Sequence, residues 1–197
     1  MLEEQILLND RISVLLSKEG KNKDICIGVP HHAPLGKKIL PCPTHKNSDE
    51  NAGLIGLKIS KQLDCSYVIA CNYYIDSNKC MCSDYSKRIV SYNPRLLVEI
   101  HGHGGKNSNF DIEISCGNKE KNDKSKLFAE ILSSYYKKHS ICGDFDRIHF
   151  TASKTPTINT EQWLGIHIEI LKEIRKDCNR EFIHALLKTI IEFKKRV

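Results

Sequence analysis

Short apolar runs of strand length recur along this chain, alternating with stretches whose apolar residues return every three or four positions. No other feature narrows the fold as far. Asp24 to Val29 (DICIGV), Ser66 to Cys71 (SYVIAC), Arg95 to His101 (RLLVEIH), Asp111 to Ser115 (DIEIS), Arg147 to Ala152 and Gly165 to Ile170 (GIHIEI) read as strands. Residues 2–17 read as an amphipathic helix ending before Gly20, from the spacing of Leu2, Ile6, Ile12, Leu15 and Leu16. A second helix is expected from a cap at Ser48 or Asp49 through Leu63, a third over Lys124 to Lys137, and a closing one over Phe182 to Phe193. Elements in this order predict a three-layer α/β/α sandwich around a mostly parallel or mixed sheet. No internal repeat or linker divides the chain, so 1–197 is expected to be a single domain with helix 2–17 as an appendage.

Composition excludes several alternatives. A chain of 197 residues, 40% of them hydrophobic, buries enough surface to fold without disulfide staples or a structural metal. Nine cysteines are an odd number, and the acidic start Met1-Leu2-Glu3-Glu4-Gln5 has no signal-peptide character, so a cytoplasmic protein with incidental thiols is expected. Cys80-Met81-Cys82, with Cys71 nearby, lacks the second pair that a thiolate zinc site needs. Runs such as Leu96-Leu97-Val98 fall far short of the ~20 residues of a membrane span, so no membrane partner is expected. The net charge of +6 suits an acidic partner or substrate, but falls short of a nucleic-acid signature unless the charge is clustered. Gly102, Gly104 and Gly105 do not form a phosphate loop.

In open α/β sheets, ligands bind outside the carboxyl ends of the strands. Four groups of chemically active residues fall at such ends: His31-His32, Asp49-Glu50, Glu99 with His101 and His103, and Glu169. The first opens a long loop, residues 30–47, holding four of the six prolines. Two histidines and one carboxylate are a catalytic zinc set, with a position left for water. Asp49 and Glu50 also suit a helix start, where acids complement the dipole. Glu99, two residues before His101, is placed to orient that imidazole, whereas Glu113 can lie on a solvated face.

These residues resemble those of the N-formylglutamate amidohydrolase-like proteins, relatives of zinc carboxypeptidases and aspartoacylases. The similarity runs from about residue 25 to 176 through short motifs: VPHHA at 29–33, SDENAG at 48–53, YIDSNK at 74–79, VEIHGHG at 98–104 and IHIEILK at 166–172. The resemblance implies a phosphorylase/hydrolase-like fold, one zinc or other divalent ion, and hydrolysis of an amide in an N-acylated amino acid or small peptide. It places the metal on His31, Asp49 (or Glu50) and His101, and proton transfer on Glu169. His103 is then a candidate for supporting the oxyanion or for holding a metal ligand in place, and Asp76, Asn78 and Lys79 for binding substrate. Where the family carries arginine, this sequence has Lys79 and Lys172. Lysine cannot pair bidentately with a carboxylate, so an anionic substrate is expected with its exact acid left open, and Lys79, Arg88 or Arg175 as candidate cations. The rival reading is a non-catalytic binding module for an acidic ligand or nucleic acid, carried by the 119–126 loop and the basic C-terminal tail.

Overall fold

The computed structural model describes residues 2–176 and 178–197. Along the chain these form α1 (Leu2–Leu7), β1 (Val14–Lys18), β2 (Asn22–Ala33), β3 (Asp49–Glu50), α2 (Ala52–Leu63), β4 (Cys65–Cys71), α3 (Asp84–Tyr92), β5 (Leu96–His103), β6 (Ile112–Ser115), α4 (Asn122–Tyr135), β7 (Ile141–Cys142), β8 (Leu164–Leu171), α5 (Lys172–Lys176) and α6 (Arg180–Arg196). The strands make one eight-stranded mixed sheet in the order β1-β4-β2-β5-β8-β6-β7, with β3 beside the end of β2. β2, β4, β5 and β8 run parallel, while β1 and β6 pair antiparallel with their neighbours. This is the α/β sandwich that the strand–helix alternation predicts.

The two faces carry different cores. Ile25, Ile27 and Val29 of β2, Val98 and Ile100 of β5, and Ile166, Ile168 and Ile170 of β8 join the larger cluster with α2, α4 and α6. The opposite face holds a smaller cluster of Cys26, Val68, Leu97, Tyr85 and Trp163, covered by α3 and the irregular 152–163 segment. Period-two alternation then puts Glu99, His101, His167 and Glu169 on that second face, at its open end.

Three expectations are corrected. Helix 2–17 stops at Leu7, and Val14–Lys18 instead pairs antiparallel with β4, a long-range ladder that outweighs the helical spacing of its leucines. Arg147 to Ala152 is not a strand: the backbone N–H groups of His149 and Phe150 donate to the Glu113 carboxylate, both at 2.8 Å, rather than to a neighbouring strand. Ser48 and Asp49 do not cap α2. Asp49 and Glu50 form β3, and Asn51, in the left-handed conformation at φ 64°, precedes the helix. The polar stretch after β4 contains a helix, α3, whose cap is Ser83. Cys80 and Cys82 form a disulfide, and the other seven cysteines are buried thiols. No described helix is long and apolar enough to cross a membrane.

Candidate metal centre

The site begins with an irregularity in β2. Val29 pairs with Ile69 and His32 with Cys71, so two residues, Pro30 and His31, oppose the single Ala70. This bulge suits proline, which has no N–H to offer a ladder, and bulges re-aim the side chains that follow. His32 lies against α2, where its Nδ1 accepts from the Gly53 N–H (3.1 Å) and its Nε2 donates to Leu7 O (2.9 Å). Its neighbour His31 turns toward β5 and meets His101 edge to face, with ring centroids 5.3 Å apart.

Between these two imidazoles sits the carboxylate of Asp49. Its Oδ2 lies 3.6 Å from His31 Nδ1 and 3.4 Å from His101 Nδ1. Both distances are too long for good hydrogen bonds, and Oδ2 and His31 Nδ1 are buried without a hydrogen-bond partner. Orphaned polar atoms at such depth are costly unless something binds between them. Ligands placed tetrahedrally about 2.0–2.1 Å from a zinc ion stand roughly 3.3–3.4 Å from one another, which is close to the spacing found. The donors therefore fit a divalent metal by chemistry and by separation.

The far ring nitrogens are fixed by carboxylates. His31 Nε2 donates to Asp76 Oδ1 at 2.9 Å and His101 Nε2 to Glu99 Oε2 at 3.2 Å, which turns each Nδ1 toward Asp49. Glu99 is fully buried and accepts further from Asn78 Nδ2 and the Tyr85 hydroxyl, each at 3.0 Å. Gly28 makes that last contact possible: a Cβ there would fall 2.2 Å from the Tyr85 oxygen. Burial opposes the charge on His101, yet Asp49 and Glu99 beside it push its pKa up to about 10. The pocket is built to hold positive charge.

Glu169 stands beside His101 on β8, in register with it. Burial raises its carboxyl to about 7, with the neighbouring Asp49 acting in the same direction, and its Oε2 has no hydrogen-bond partner. His167, two residues earlier, places its ring 4.3 Å from that of His101 and its Nε2 3.5 Å from Glu169 Oε1. His45 stacks on His31 at 3.8 Å from within the proline-rich loop. Sequence reasoning singled out neither His167 nor His45. The Glu99–His101 pattern two residues apart recurs in reverse as His167–Glu169 and could have signalled the former; no local pattern marks the latter.

All this opens into a cleft of about 660 Å³ whose lining includes His31, Asp49, His101, Glu169, Lys38 and Lys106. The other expected residues do not face the space between the two imidazoles and Asp49. Glu50 lines the cleft, but its carboxylate accepts from Lys172 Nζ (3.0 Å) and Gly36 N–H (3.1 Å) rather than facing the histidines. His103 commits both ring nitrogens, to Asp111 O and Gly105 N–H, each at 3.1 Å. Asp76, Asn78 and Lys79 are absent from the cleft lining, because their polar groups are taken by His31, Glu99 and the Thr155 hydroxyl respectively. Arg175 is buried against backbone carbonyls, while Arg88 lines a separate groove with Leu15 and Tyr73. Glu113 is buried too, holding the backbone of 149–150 and the Ser108 hydroxyl.

No family model and no curated protein matches this chain. Solved structures do. A bacteriophage poly-gamma-glutamate hydrolase superposes over 100% of this chain and 96% of its own, at 13% identity and a TM-score of 0.64. A gene product from Agrobacterium tumefaciens does so over 100% and 99%, at 11% identity and a TM-score of 0.57. An N-acetylmuramoyl-L-alanine amidase from Clostridium difficile 630 covers 89% of this chain and 98% of its own, at 14% identity and a TM-score of 0.51. The buried His31–Asp49–His101 cluster thus sits on a fold shared, at 11–14% identity, with proteins two of which are named for cleaving amide bonds.

Proposed function

We propose that this protein is a metal-dependent amidohydrolase that cleaves an amide bond in an N-acylated amino acid or a short peptide bearing an anionic group. The observation that carries the reading is the pair of orphaned atoms, His31 Nδ1 and Asp49 Oδ2, facing His101 Nδ1 at metal-ligand spacing. His31, Asp49 and His101 hold the ion, for which zinc suits the two imidazoles and one carboxylate. When bound, zinc supplies Lewis acidity toward a carbonyl and a water made acidic at neutral pH.

The chain's own residues supply the rest. Glu169, with a carboxyl poised near neutrality, removes the proton of the attacking water and returns it to the leaving amine. Asp76 and Glu99 hold the two imidazoles in the tautomer that presents Nδ1, and Asn78 and Tyr85 hold Glu99. Lys38 and Lys106 on the cleft wall meet the anionic end of the substrate, a role that Lys79, turned to Thr155, leaves open. The names of the phage hydrolase and the clostridial amidase support the amide as the bond cleaved.

The test is metal analysis of untagged protein, followed by assay against N-formyl and N-acetyl amino acids and γ-linked glutamyl peptides. Stoichiometric zinc with hydrolysis of any of these supports the reading. Protein that takes up no divalent metal overturns it.

A further inference from the structure

Asp49 is held by a poor element. β3 is two residues long and follows a proline-rich loop, so its own backbone pairing does little to fix a carboxylate. What surrounds it is more substantial. Arg175 of α5, only 3% exposed, donates from Nη1 to Glu50 O (2.6 Å), from Nε to Ile170 O (3.0 Å) and, at 3.5 Å, from Nη2 to His103 O. In return the Asn51 side-chain amide donates to Arg175 O (3.3 Å) and Lys176 O (2.9 Å). The ion pair between Lys172 and Glu50 closes the same junction.

Two facts make Arg175 more than one packed side chain among others. Among the described residues no carboxylate pairs with it, so a buried guanidinium directs its donors to three backbone carbonyls. Those carbonyls belong to the residues following Asp49 and Glu169 and to the end of β5 beyond His101. Moreover, the strand gives way to it: a Cβ on Gly102 would fall 2.0 Å from the Arg175 Cζ. The glycine between the two histidines thus leaves the space in which the guanidinium lies.

We infer that Arg175 is a positioning residue of the metal centre, tying the ends of β3, β5 and β8 so that Asp49, His101 and Glu169 keep their mutual spacing. The inference rests on the metal-binding reading above. A planar fork reaches three carbonyls at once, where an ammonium forms a single compact centre, so lysine cannot replace it.

The test measures zinc affinity, by chelator competition on metal-stripped protein, for the wild type, Arg175→Lys, Gly102→Ala and a control, Ile190→Ala, that weakens the core in α6. Partners that orient ligands typically change metal affinity by about 10- to 100-fold, and a loss of that size is expected for both Arg175→Lys and Gly102→Ala. Ile190→Ala lowers the thermal midpoint and leaves zinc affinity as it was. Wild-type affinity in Arg175→Lys overturns the inference, as does a change confined to KM, which would make the guanidinium a substrate anchor. Should Arg175→Lys fail to fold, Gly102→Ala decides by the same outcomes. A wild type that binds no zinc removes the metal reading itself, a result distinct from wild-type affinity in the variants.

Discussion

Glu99 and His101, two residues apart on one strand, are joined side chain to side chain at 3.2 Å, and Glu99 has no surface exposed to solvent. A carboxylate at that depth persists only with its oxygens satisfied, which Tyr85, Asn78 and His101 accomplish together.

Tyr85→Phe removes one of those partners and leaves a buried carboxylate under-satisfied. Hydrogen bonds to charged groups contribute about 1.5–3 kcal/mol, so the thermal midpoint falls by several degrees. Differential scanning calorimetry checks this; an unchanged midpoint would mean that the hydroxyl does not support Glu99.

Asp49→Asn keeps the shape of the site and removes the anionic ligand. Metal content measured after dialysis drops from stoichiometric to trace, while far-ultraviolet circular dichroism stays that of the wild type. Retention of full zinc would transfer the ligand role to another carboxylate, with Glu50 the first to examine.

In Glu169→Gln the metal stays and the proton acceptor goes. General acid–base residues contribute roughly 10²–10⁴-fold, so kcat falls by that factor with zinc content unchanged. Turnover at the wild-type rate would exclude Glu169 from proton transfer.

Glu113→Ala frees the backbone N–H groups of His149 and Phe150 and the Ser108 hydroxyl, which all meet on this one carboxylate. Phe150 walls the cleft, so KM rises more than kcat falls, and amides 149 and 150 exchange faster with deuterium. Exchange at the wild-type rate would show the loop to be held by other contacts.

Metal and fold are linked because an ion that binds only the folded chain stabilises it. Zinc at a hundredfold excess over its dissociation constant adds about 2.7 kcal/mol, and a chelator reverses the gain. Thermal midpoints of stripped and zinc-loaded protein give the comparison; equal midpoints would speak against a specific site.

The sequence makes the central strands legible because burial on both faces leaves continuous apolar runs, as in RLLVEIH and GIHIEI. Ionisable residues at the ends of such runs stand out, because a charge carried that deep has to meet a partner. What lies hidden depends on distant partners. Val14–Lys18 becomes a strand only through β4, and the 147–152 segment has a strand's alternation yet is held by one carboxylate. α3 buries only Tyr85, Ser86 and Ile89, too narrow a stripe to announce a helix. The same holds in the site. His31, Asp49, His101 and Glu169 are conspicuous as residue types at strand ends, whereas His45 reaches the cluster through the path of a loop, and Asp76 and Asn78 are recognisable as supports only once their partners are seen.

The pairing of β5 with β8 sets Glu99 beside His167, His101 beside Glu169 and His103 beside Leu171, with Ile100 opposite Ile168 and Gly102 opposite Ile170 at the alternate positions. Insertion or loss of a single residue upstream within β8 would turn Ile168 or Ile170 toward the cleft and bury Glu169 among the apolar side chains over α2 and α6. The number of residues from Leu164 to Glu169 is therefore as much a part of the site as the side chains themselves, since the pairing counts them off against Leu96 to His101.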